Sequence, residues 1–214
     1  MVLKLYGTAR STSARRVAVI LHEKKVPFEL VPVDFAAGEH KLEAYIKKQP
    51  FGEIPYLDDD GFILFESRAI GHYIASKYPN QGTPLIPSGL QANALLQQAL
   101  SIEVADFDDY ASKITKEALL KPKQGLKTDP AVLDGLFKNL DAKLDGYERI
   151  LSKQKYLAGD EISLADLFHL PCGSMLPACN FKGLETRPNV TRWWKDISSR
   201  PSWQAVKDGA SSTA

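Results

Sequence analysis

A cluster of hydroxyl side chains lies close to the amino terminus, in the stretch RSTSARR of residues 10–16. Ser11, Thr12 and Ser13 follow a short apolar segment that ends at Gly7, and arginines come directly after them. This order is typical of a strand that leads into a helix, whose first backbone N–H groups have no partner within the helix. Such a helix terminus, with a hydroxyl beside it, favours the binding of an anion. The residues alone leave open which of the three hydroxyls contacts that anion.

The composition favours no polyanionic partner. Lys and Arg number 27 and Asp and Glu number 26, so the net charge of +1 gives no field that would attract nucleic acid or an anionic membrane. The two cysteines, Cys172 and Cys179, form no CxxC pair and have no neighbours at metal-ligand spacing. No apolar run reaches the length of about 18 residues that spans a bilayer. We therefore expect a cytoplasmic protein without a bound metal.

The amino-terminal part of the chain has the pattern of a β-α-β unit. In residues 2–6, Leu3 and Leu5 alternate with Lys4, as in a strand, and the stretch PFELVPVDF of residues 27–35 predicts a second strand. Between them, Val17, Ile20 and Leu21 have the spacing of one helical face. The two strands should be parallel, with a right-handed crossover. The charged helical positions expected to face water are Arg15, Arg16, Glu23 and Lys24.

A second group of short elements follows this unit. The stretch GEHKLEAYIKKQ is polar and predicts a partly helical connection. Two apolar runs flank Asp60 and Gly61 in IPYLDDDGFILFES, which predicts a β-hairpin. A helical period resumes at Ser67 and continues through Ile70 and Ile74. Together with the β-α-β unit, these elements predict one small α/β domain.

The stretch PNQGTPLIPSG, residues 79–89, is rich in Pro and Gly and predicts a connection between two domains. Beyond it, helical stripes dominate. One helix should begin at Pro130, directly after Asp129, and another after Ser163, with Asp166 at the spacing of a capping box. The expected fold class is therefore α/β followed by all-α. The predicted domains are residues 1–80 and residues 90–214.

Five motifs, in their order along the chain, resemble the phi class of the cytosolic glutathione transferases. They are KLYG with a serine four residues later, GEHK, PFGEIP, LFESRAI and LAGDEISLADLFHLP. The resemblance covers most of the chain. It implies a thioredoxin-like amino-terminal domain that binds glutathione and an all-helical domain that contributes the site of an electrophile.

The resemblance implies that the serine after KLYG, Ser11, stabilises the thiolate of glutathione and is the catalytic residue. Its offset from Gly7 favours it over Thr12 and Ser13. A free thiol titrates near ~8.5, so ionising it near neutral pH requires about 2 kcal/mol of stabilisation of the anion. Tyr6, at the position of the catalytic tyrosine of other classes, is expected to pack in the core instead. A serine in place of cysteine also argues against disulfide exchange.

Other residues are assigned to glutathione by their match to the family motifs. Glu66 and Ser67 would hold the γ-glutamyl end, and Ser67 could equally cap its helix. The main chain of Ile54 would pair with the cysteinyl part, and Pro55 is cis in the family. The family usually has Gln at the position of Glu53, and a carboxylate cannot donate as an amide does, so glutathione affinity is left open. The assigned set is His40, Lys41, Glu53, Ile54, Pro55, Glu66 and Ser67.

The resemblance also suggests an electrophile site and a dimer. A long helical stripe, at spacings of four and three residues, includes three of the expected walls of a hydrophobic site between the domains. Phe51 is expected to insert into a partner subunit, the alternative being a side chain tucked under its own loop. Glu103 breaks the apolar stripe and is expected to pair with Arg68 across the dimer interface. The assigned electrophile residues are Thr12, Phe35, Phe107, Tyr110 and Ile114.

The expected function is a homodimeric glutathione transferase. It would use glutathione as a co-substrate and conjugate it to small hydrophobic electrophiles, with reduction of organic hydroperoxides as a further activity. The first alternative is a non-catalytic carrier of planar apolar ligands such as flavonoids. A second alternative is an interaction module, which the presence of Ser11, Glu66 and Ser67 disfavours.

Overall fold

The computed structural model describes residues 2–214, which divide into two compact units. The first unit consists of the residues up to Leu85 together with Arg200–Ala214, and the second unit is Ile86–Ser199. The predicted helical domain of 90–214 is thus wrong at its carboxyl end. Its last residues belong to the first unit, because they pack against that unit and form hydrogen bonds with it.

The first unit is built on a sheet that has four strands in the described residues, in the order β2-β1-β3-β4. β1 and β2 are parallel, whereas β1 with β3 and β3 with β4 are antiparallel. Both the β-α-β unit and the hairpin are therefore confirmed. The strands are β1 (Leu3–Gly7), β2 (Phe28–Pro32), β3 (Tyr56–Asp59) and β4 (Phe62–Phe65).

Short helices surround this sheet. The polar connection forms a 3₁₀ turn and one helical turn, as its composition predicts. The apolar face of the first helix is buried, with no exposed surface at Val17, Ile20 or Leu21. The elements are α1 (Thr12–Glu23), the 3₁₀ turn Glu39–Lys41, α2 (Glu43–Ile46), α3 (Ser67–Lys77) and α11 (Pro201–Gln204).

The charged residues of α1 are buried, which contradicts the prediction that they face water. Arg200 donates from Nε to the Glu23 carboxylate at 2.6 Å and from Nη2 at 2.9 Å. Lys24 donates from Nζ to the carbonyl of Thr83 at 2.9 Å. These partners are distant in the sequence, so the local helical pattern does not show them. Arg15 and Arg16 are also buried, with partners described below.

The second unit is helical, and both predicted helix starts are confirmed. Asp129 accepts hydrogen bonds from the first backbone N–H groups of its helix, and Ser163 with Asp166 forms a capping box. Two π-helical segments, Glu103–Asp108 and Lys116–Leu120, interrupt the first long helix. The α-helices are α4 (Leu90–Ile102), α5 (Asp109–Thr115), α6 (Lys121–Lys123), α7 (Pro130–Leu151), α8 (Leu164–Phe168), α9 (Leu170–Gly173) and α10 (Pro188–Ser199).

Aromatic and polar side chains fill the core of this unit. The His169 ring lies 3.0 Å from the Tyr147 hydroxyl through Nε2 and 2.7 Å from the carbonyl of Ala165 through Nδ1. Burial lowers the pKa of His169 and raises that of Tyr147, so both are neutral near pH 7. The Trp193 indole N–H donates to Asp166 at 2.9 Å. These residues therefore stabilise the fold.

Candidate active site

Ser11 occupies the N-cap of α1, directly after the turn that follows β1. Its backbone N–H donates to the carbonyl of Thr8 at 3.1 Å and closes this turn. Its Oγ accepts a hydrogen bond of 3.3 Å from the backbone N–H of Ala14. Because a serine oxygen can accept and donate at once, the hydroxyl hydrogen stays available to an anion at the helix terminus. The side chain is half-buried, so such an anion can reach it.

The structure separates Ser11 from the two hydroxyls beside it. Thr12 and Ser13 are the first two residues within α1, and both are half-buried. Neither caps the helix. Among the three hydroxyls, Ser11 is the one that accepts a hydrogen bond from a helical N–H. That bond makes the Ser11 hydroxyl a stronger donor.

The start of α3 provides a second group of polar atoms. Glu66, at the N-cap, is exposed and has a φ of +69°, a conformation that a residue with a side chain rarely adopts. Ser67 is the first residue of the helix rather than its cap, so the capping alternative is wrong. Its backbone N–H belongs to the first turn, where donors lack a helical partner. Unusual backbone at a helix start is typical of a ligand contact.

Arg16 approaches the same region from α1, and sequence reasoning missed it. Its Nη1 donates to the Ser67 Oγ at 3.0 Å, and both side chains are buried. The guanidinium thus brings a positive charge next to the start of α3, where a carboxylate would be stabilised. The position of Arg16 on the helix predicts solvent exposure, so the sequence gives no indication of this contact.

The Ile54–Pro55 peptide bond is cis. Gly7 lies beside it, and a Cβ on Gly7 would be 3.4 Å from the Cβ of Pro55. Ile54 packs against a small core of Val33, Tyr45 and Tyr56. Tyr6 stacks on Tyr56 with ring centroids 4.4 Å apart, which confirms that it packs in the core. Ile54 therefore has a fixed position at the entrance to β3.

Hydrogen bonds hold the loop between α2 and β3. The Tyr45 hydroxyl donates to the carbonyl of Glu53 at 2.8 Å, and burial raises the pKa of that hydroxyl, which keeps it neutral. The buried Gln49 accepts from the Glu53 backbone N–H through Oε1 at 3.1 Å. Lys41 donates from Nζ to the carbonyl of Phe51 at 3.2 Å. The Glu53 side chain itself is exposed.

His40 and Phe35 form a stacked pair beside this loop. Their ring centroids are 3.9 Å apart with an interplanar angle of 6°, and Phe35 is 51% exposed. The Nδ1 atom of His40 is buried and has no hydrogen-bond partner among the described residues. Gly52 has a φ of +59°, and a Cβ there would lie 2.9 Å from the carbonyl oxygen of His40. The loop therefore requires glycine at this position.

Comparisons with known proteins show the family of this chain. Family models for the N-terminal and C-terminal domains of glutathione S-transferase match residues 1–76 and 107–201. Glutathione S-transferase hmp2 of Hypomyces subiculosus is 45% identical over 207 residues, which cover 95% of this chain and 96% of the relative. The chain belongs to the glutathione S-transferase family. It is of the phi-like class.

Solved structures of transferases show the same fold. Glutathione transferase F7 from Populus trichocarpa has a TM-score of 0.91 and 44% identity, covering 97% of this chain and 98% of its own. Glutathione S-transferase I from maize, in complex with an atrazine glutathione conjugate, has a TM-score of 0.91 and 36% identity over 97% of each chain. The thioredoxin-like and helical domains, and glutathione as the co-substrate, are therefore confirmed.

Within residues 2–214, no group of three or more His, Cys, Asp or Glu side chains could hold a metal ion. Across the same residues, no helix is both long enough and apolar enough to cross a bilayer.

The structure contradicts part of the predicted electrophile site of the transferase. Phe107 and Ile114 have no exposed surface, so they cannot contact a ligand in this conformation. Phe107 instead packs against the rings of Tyr147 and His169 in the helical core. The π-helical turns alter the 3.6-residue period, so the stripe does not show which of its positions face outward. Tyr110 is half-buried, and its role stays a prediction.

The three predicted dimer residues of the transferase differ in their exposure to solvent. Glu103 has no exposed surface, so an ion pair with Arg68 of a second subunit is wrong for this conformation. Arg68 is half-buried, and its place at an interface stays a prediction. Phe51 is 65% exposed, with its ring centroid 6.1 Å from that of Phe65. It is therefore not tucked under its own loop.

Proposed function

We propose that Ser11 donates its hydroxyl hydrogen to the sulfur of glutathione and stabilises the thiolate, which then attacks a hydrophobic electrophile. The observation that carries this proposal is the position of Ser11 at the N-cap of α1, where its Oγ accepts from the Ala14 N–H. The reaction of the family is glutathione conjugation. A thiolate is the nucleophile in that reaction, so a device that ionises the thiol is what the chemistry requires.

The Ser11 hydroxyl and the amino terminus of α1 together would provide enough stabilisation to ionise the thiol. Lowering a thiol pKa from ~8.5 to near 7 requires about 2 kcal/mol of preferential stabilisation of the anion. A charge-assisted hydrogen bond contributes about 1.5–3 kcal/mol, and a helix amino terminus adds about 0.3–1 kcal/mol. Together they account for the ionisation without a general base. Ser11 is the site's catalytic residue because its hydroxyl would touch the reacting sulfur.

The remaining glutathione contacts are proposed from their positions in the first unit. The backbone N–H of Ser67 and the guanidinium of Arg16 would bind the α-carboxylate of the γ-glutamyl group, with Glu66 beside its amine. The main chain of Ile54, before cis Pro55, would pair with the cysteinyl part as a short strand does.

The glycyl carboxylate would lie near His40 and Lys41. Lys41 is exposed and supplies a cation, which its contact with the Phe51 carbonyl holds at the loop. Glu53 is exposed at the same loop, where its negative charge opposes that carboxylate. We therefore expect Glu53→Gln to bind glutathione more tightly than the wild type.

The electrophile is proposed to be an apolar molecule that contacts Thr12 and Phe35. Phe35 presents an aromatic ring with half of its surface exposed, and Thr12 adjoins Ser11 at the start of α1. The maize relative that holds an atrazine glutathione conjugate supports an aromatic substrate class. Reduction of organic hydroperoxides by the same thiolate belongs to this proposal as a further activity.

A homodimer in the cytoplasm completes the proposal. Phe51 supports the dimer because a large aromatic side chain that is 65% exposed on a fixed loop suits insertion into a second copy. Sedimentation of wild type and Phe51→Ala tests it: we expect the variant to dissociate at a concentration at which the wild type is dimeric. Equal dissociation constants would contradict it.

The thiolate is tested by ultraviolet difference absorbance of bound glutathione, titrated against pH. We expect a lowered thiol pKa in the wild type and a value close to that of free glutathione in Ser11→Ala. Thr12→Ala and Ser13→Ala are the matched controls and should keep the lowered pKa. If the wild type binds glutathione without lowering the pKa, the carrier alternative replaces the enzyme mechanism. If Ser13→Ala rather than Ser11→Ala raises it, the assignment of Ser11 is wrong.

A further inference from the structure

The C-terminal segment, which we define as residues 207–214, belongs to the first unit and lies along the outer edge of its sheet. β2 is an edge strand, so one side of its backbone lacks a partner strand. Thr213 accepts from the Phe28 N–H through Oγ1 at 3.2 Å and donates its own N–H to the Phe28 carbonyl at 2.9 Å. Ser212 accepts from the Leu30 N–H through Oγ at 2.8 Å. The segment therefore occupies the open edge of β2.

The same segment contacts the chain on both sides of Ser11. Before Ser11, the carbonyl of Ala9 accepts a hydrogen bond of 2.9 Å from the N–H of Ala210. After Ser11, Arg15 donates from Nη1 to the carbonyl of Lys207 at 2.6 Å. The turn before α1 and the first turn of α1 are thus both tied to one short piece of chain.

The turn itself has few other supports. Its closing bond joins the Ser11 N–H to the Thr8 carbonyl, and the side chains of Ala9 and Arg10 are exposed. Ala210, in contrast, is buried, and its N–H donates to the Ala9 carbonyl. A catalytic donor must be held within about 0.5 Å of its productive position, which a solvated turn does not ensure.

We propose that the C-terminal segment is a positioning element for Ser11, through the hydrogen bond from the Ala210 N–H to the Ala9 carbonyl. This inference rests on the proposed function of Ser11. Ala210 would not touch the substrate. It would fix the direction of the Ser11 hydroxyl, so that its loss weakens thiolate stabilisation more than it weakens the binding of glutathione.

The test compares Ala210→Pro, which lacks the N–H, with Ala210→Gly, which keeps it. In Ala210→Pro we expect the pKa of bound glutathione to rise toward that of the free thiol and kcat at pH 7 to fall about three- to tenfold. KM for glutathione should change less than kcat. At a pH above the pKa of the free thiol, kcat should return to the wild-type value, which a merely unstable protein would not do. Ala210→Gly should behave as the wild type.

Proline could also prevent folding, so two further measurements keep the inference open to refutation. Deletion of residues 210–214 removes the same N–H without a ring, and the same shift of the pH profile is expected. In the wild type, hydrogen exchange at the Ala210 amide should slow when a non-reactive S-alkyl glutathione binds, because the turn and the segment are coupled. Unchanged exchange, or an unchanged pH profile in the folded deletion variant, would overturn the inference.

The failure of this inference differs from the failure of the proposed function. If Ser11→Ala raises the thiol pKa while Ala210→Pro and the deletion leave it low, the segment has no positioning role and Ser11 keeps its own. If Ser11→Ala leaves the pKa low, the proposed function fails first, and the inference fails with it.

Discussion

Two helices of this protein begin with a serine at the N-cap, and the two serines have opposite environments. Ser163 is buried, and its backbone N–H and Oγ both donate to Asp166, at 2.9 Å and 2.8 Å. Asp166 also accepts from the Leu157 N–H and the Trp193 indole. Ser11 is half-buried, and among residues 2–214 its side chain has one hydrogen bond, of 3.3 Å, from the Ala14 N–H.

The difference distinguishes a cap that stabilises its helix from a cap that suits the proposed role in reactivity. At Ser163 every polar atom has a partner inside the unit, so the hydroxyl has nothing to offer a ligand. At Ser11 the oxygen accepts from the helix, and the hydroxyl has no acceptor among the described residues, so the proposed anion can receive its hydrogen. Both serines lie at a helix start, and they differ in whether the hydroxyl has all of its hydrogen bonds within the protein.

The largest effect is expected from removing Asp166, which accepts the hydrogen bonds of the Ser163 cap. Asp166→Ala leaves three buried N–H donors without a partner, and we expect it to lower the free energy of unfolding by about 3–5 kcal/mol. Denaturant unfolding measures this loss, with Asp134→Ala, an exposed carboxylate on α7, as the control. A loss below about 1 kcal/mol would show that the network contributes little to stability.

Removal of the Ser11 hydroxyl should lower the activity of the enzyme more than its stability. Ser11→Ala removes one donor to the thiolate, and we expect kcat/KM at pH 7 to fall about 10- to 30-fold, because the ionisation that the site supports corresponds to about 2 kcal/mol. Its free energy of unfolding should fall by about 1 kcal/mol or less. Steady-state kinetics and denaturant unfolding on the same sample check both values. A variant that lost more stability than activity would contradict the comparison.

At the other end of α1, the buried carboxylate of Glu23 accepts several hydrogen bonds. Burial raises the pKa of Glu23, but hydrogen bonds from Arg200 and Ser202 outweigh this effect and leave the pKa below its ordinary value. The folded state therefore favours the ionised carboxylate. Its contribution to the free energy of unfolding is fully present above the ordinary pKa of about 4.3 and is lost as the pH falls through the lower folded value.

Glu23→Gln should remove this acid dependence and lower the free energy of unfolding near neutral pH by about 1–3 kcal/mol. Unfolding followed between about pH 3 and pH 7 measures both effects. The matched control is Glu43→Gln, because Glu43 is exposed and its ion pair with Lys47 lies in solvent. Equal slopes for the wild type and Glu23→Gln would refute the assignment.

The smallest effect is expected at the second serine cap. Ser163→Ala should lower the free energy of unfolding by about 1–2 kcal/mol, because the backbone contacts of Asp166 remain. Titration of bound glutathione should give the wild-type thiol pKa in this variant. A raised thiol pKa would show that the cap of α8 also affects the catalytic turn.

Local patterns predict the elements of this fold well. The strand period, the turn at Asp60 and Gly61, and the capping pair Ser163 and Asp166 each involve residues within a few positions of one another. The structure confirms these elements because local propensity and tertiary packing agree there.

The predictions that failed depend on distant partners. Arg16 and Glu23 look solvent-exposed on a helical wheel, and their burial follows from Ser67 and Arg200, far along the chain. The contact between Ala210 and Ala9 uses backbone atoms, which no side-chain pattern reports. In the helical unit, the π-helical turns rotate the stripe, so Phe107 faces the core although its spacing also fits a ligand wall.

The three tryptophans are divided between the two units, Trp203 in the first and Trp193 and Trp194 in the second. Trp203 lies under the guanidinium of Arg15, whose carbon is 5.6 Å from the ring centroid. Replacing both tryptophans of the helical unit by phenylalanine would leave one tryptophan, located beside the first turn of α1. Its emission and quenching would report on the start of α1, where the thiolate is proposed to form, in real time and without an added dye.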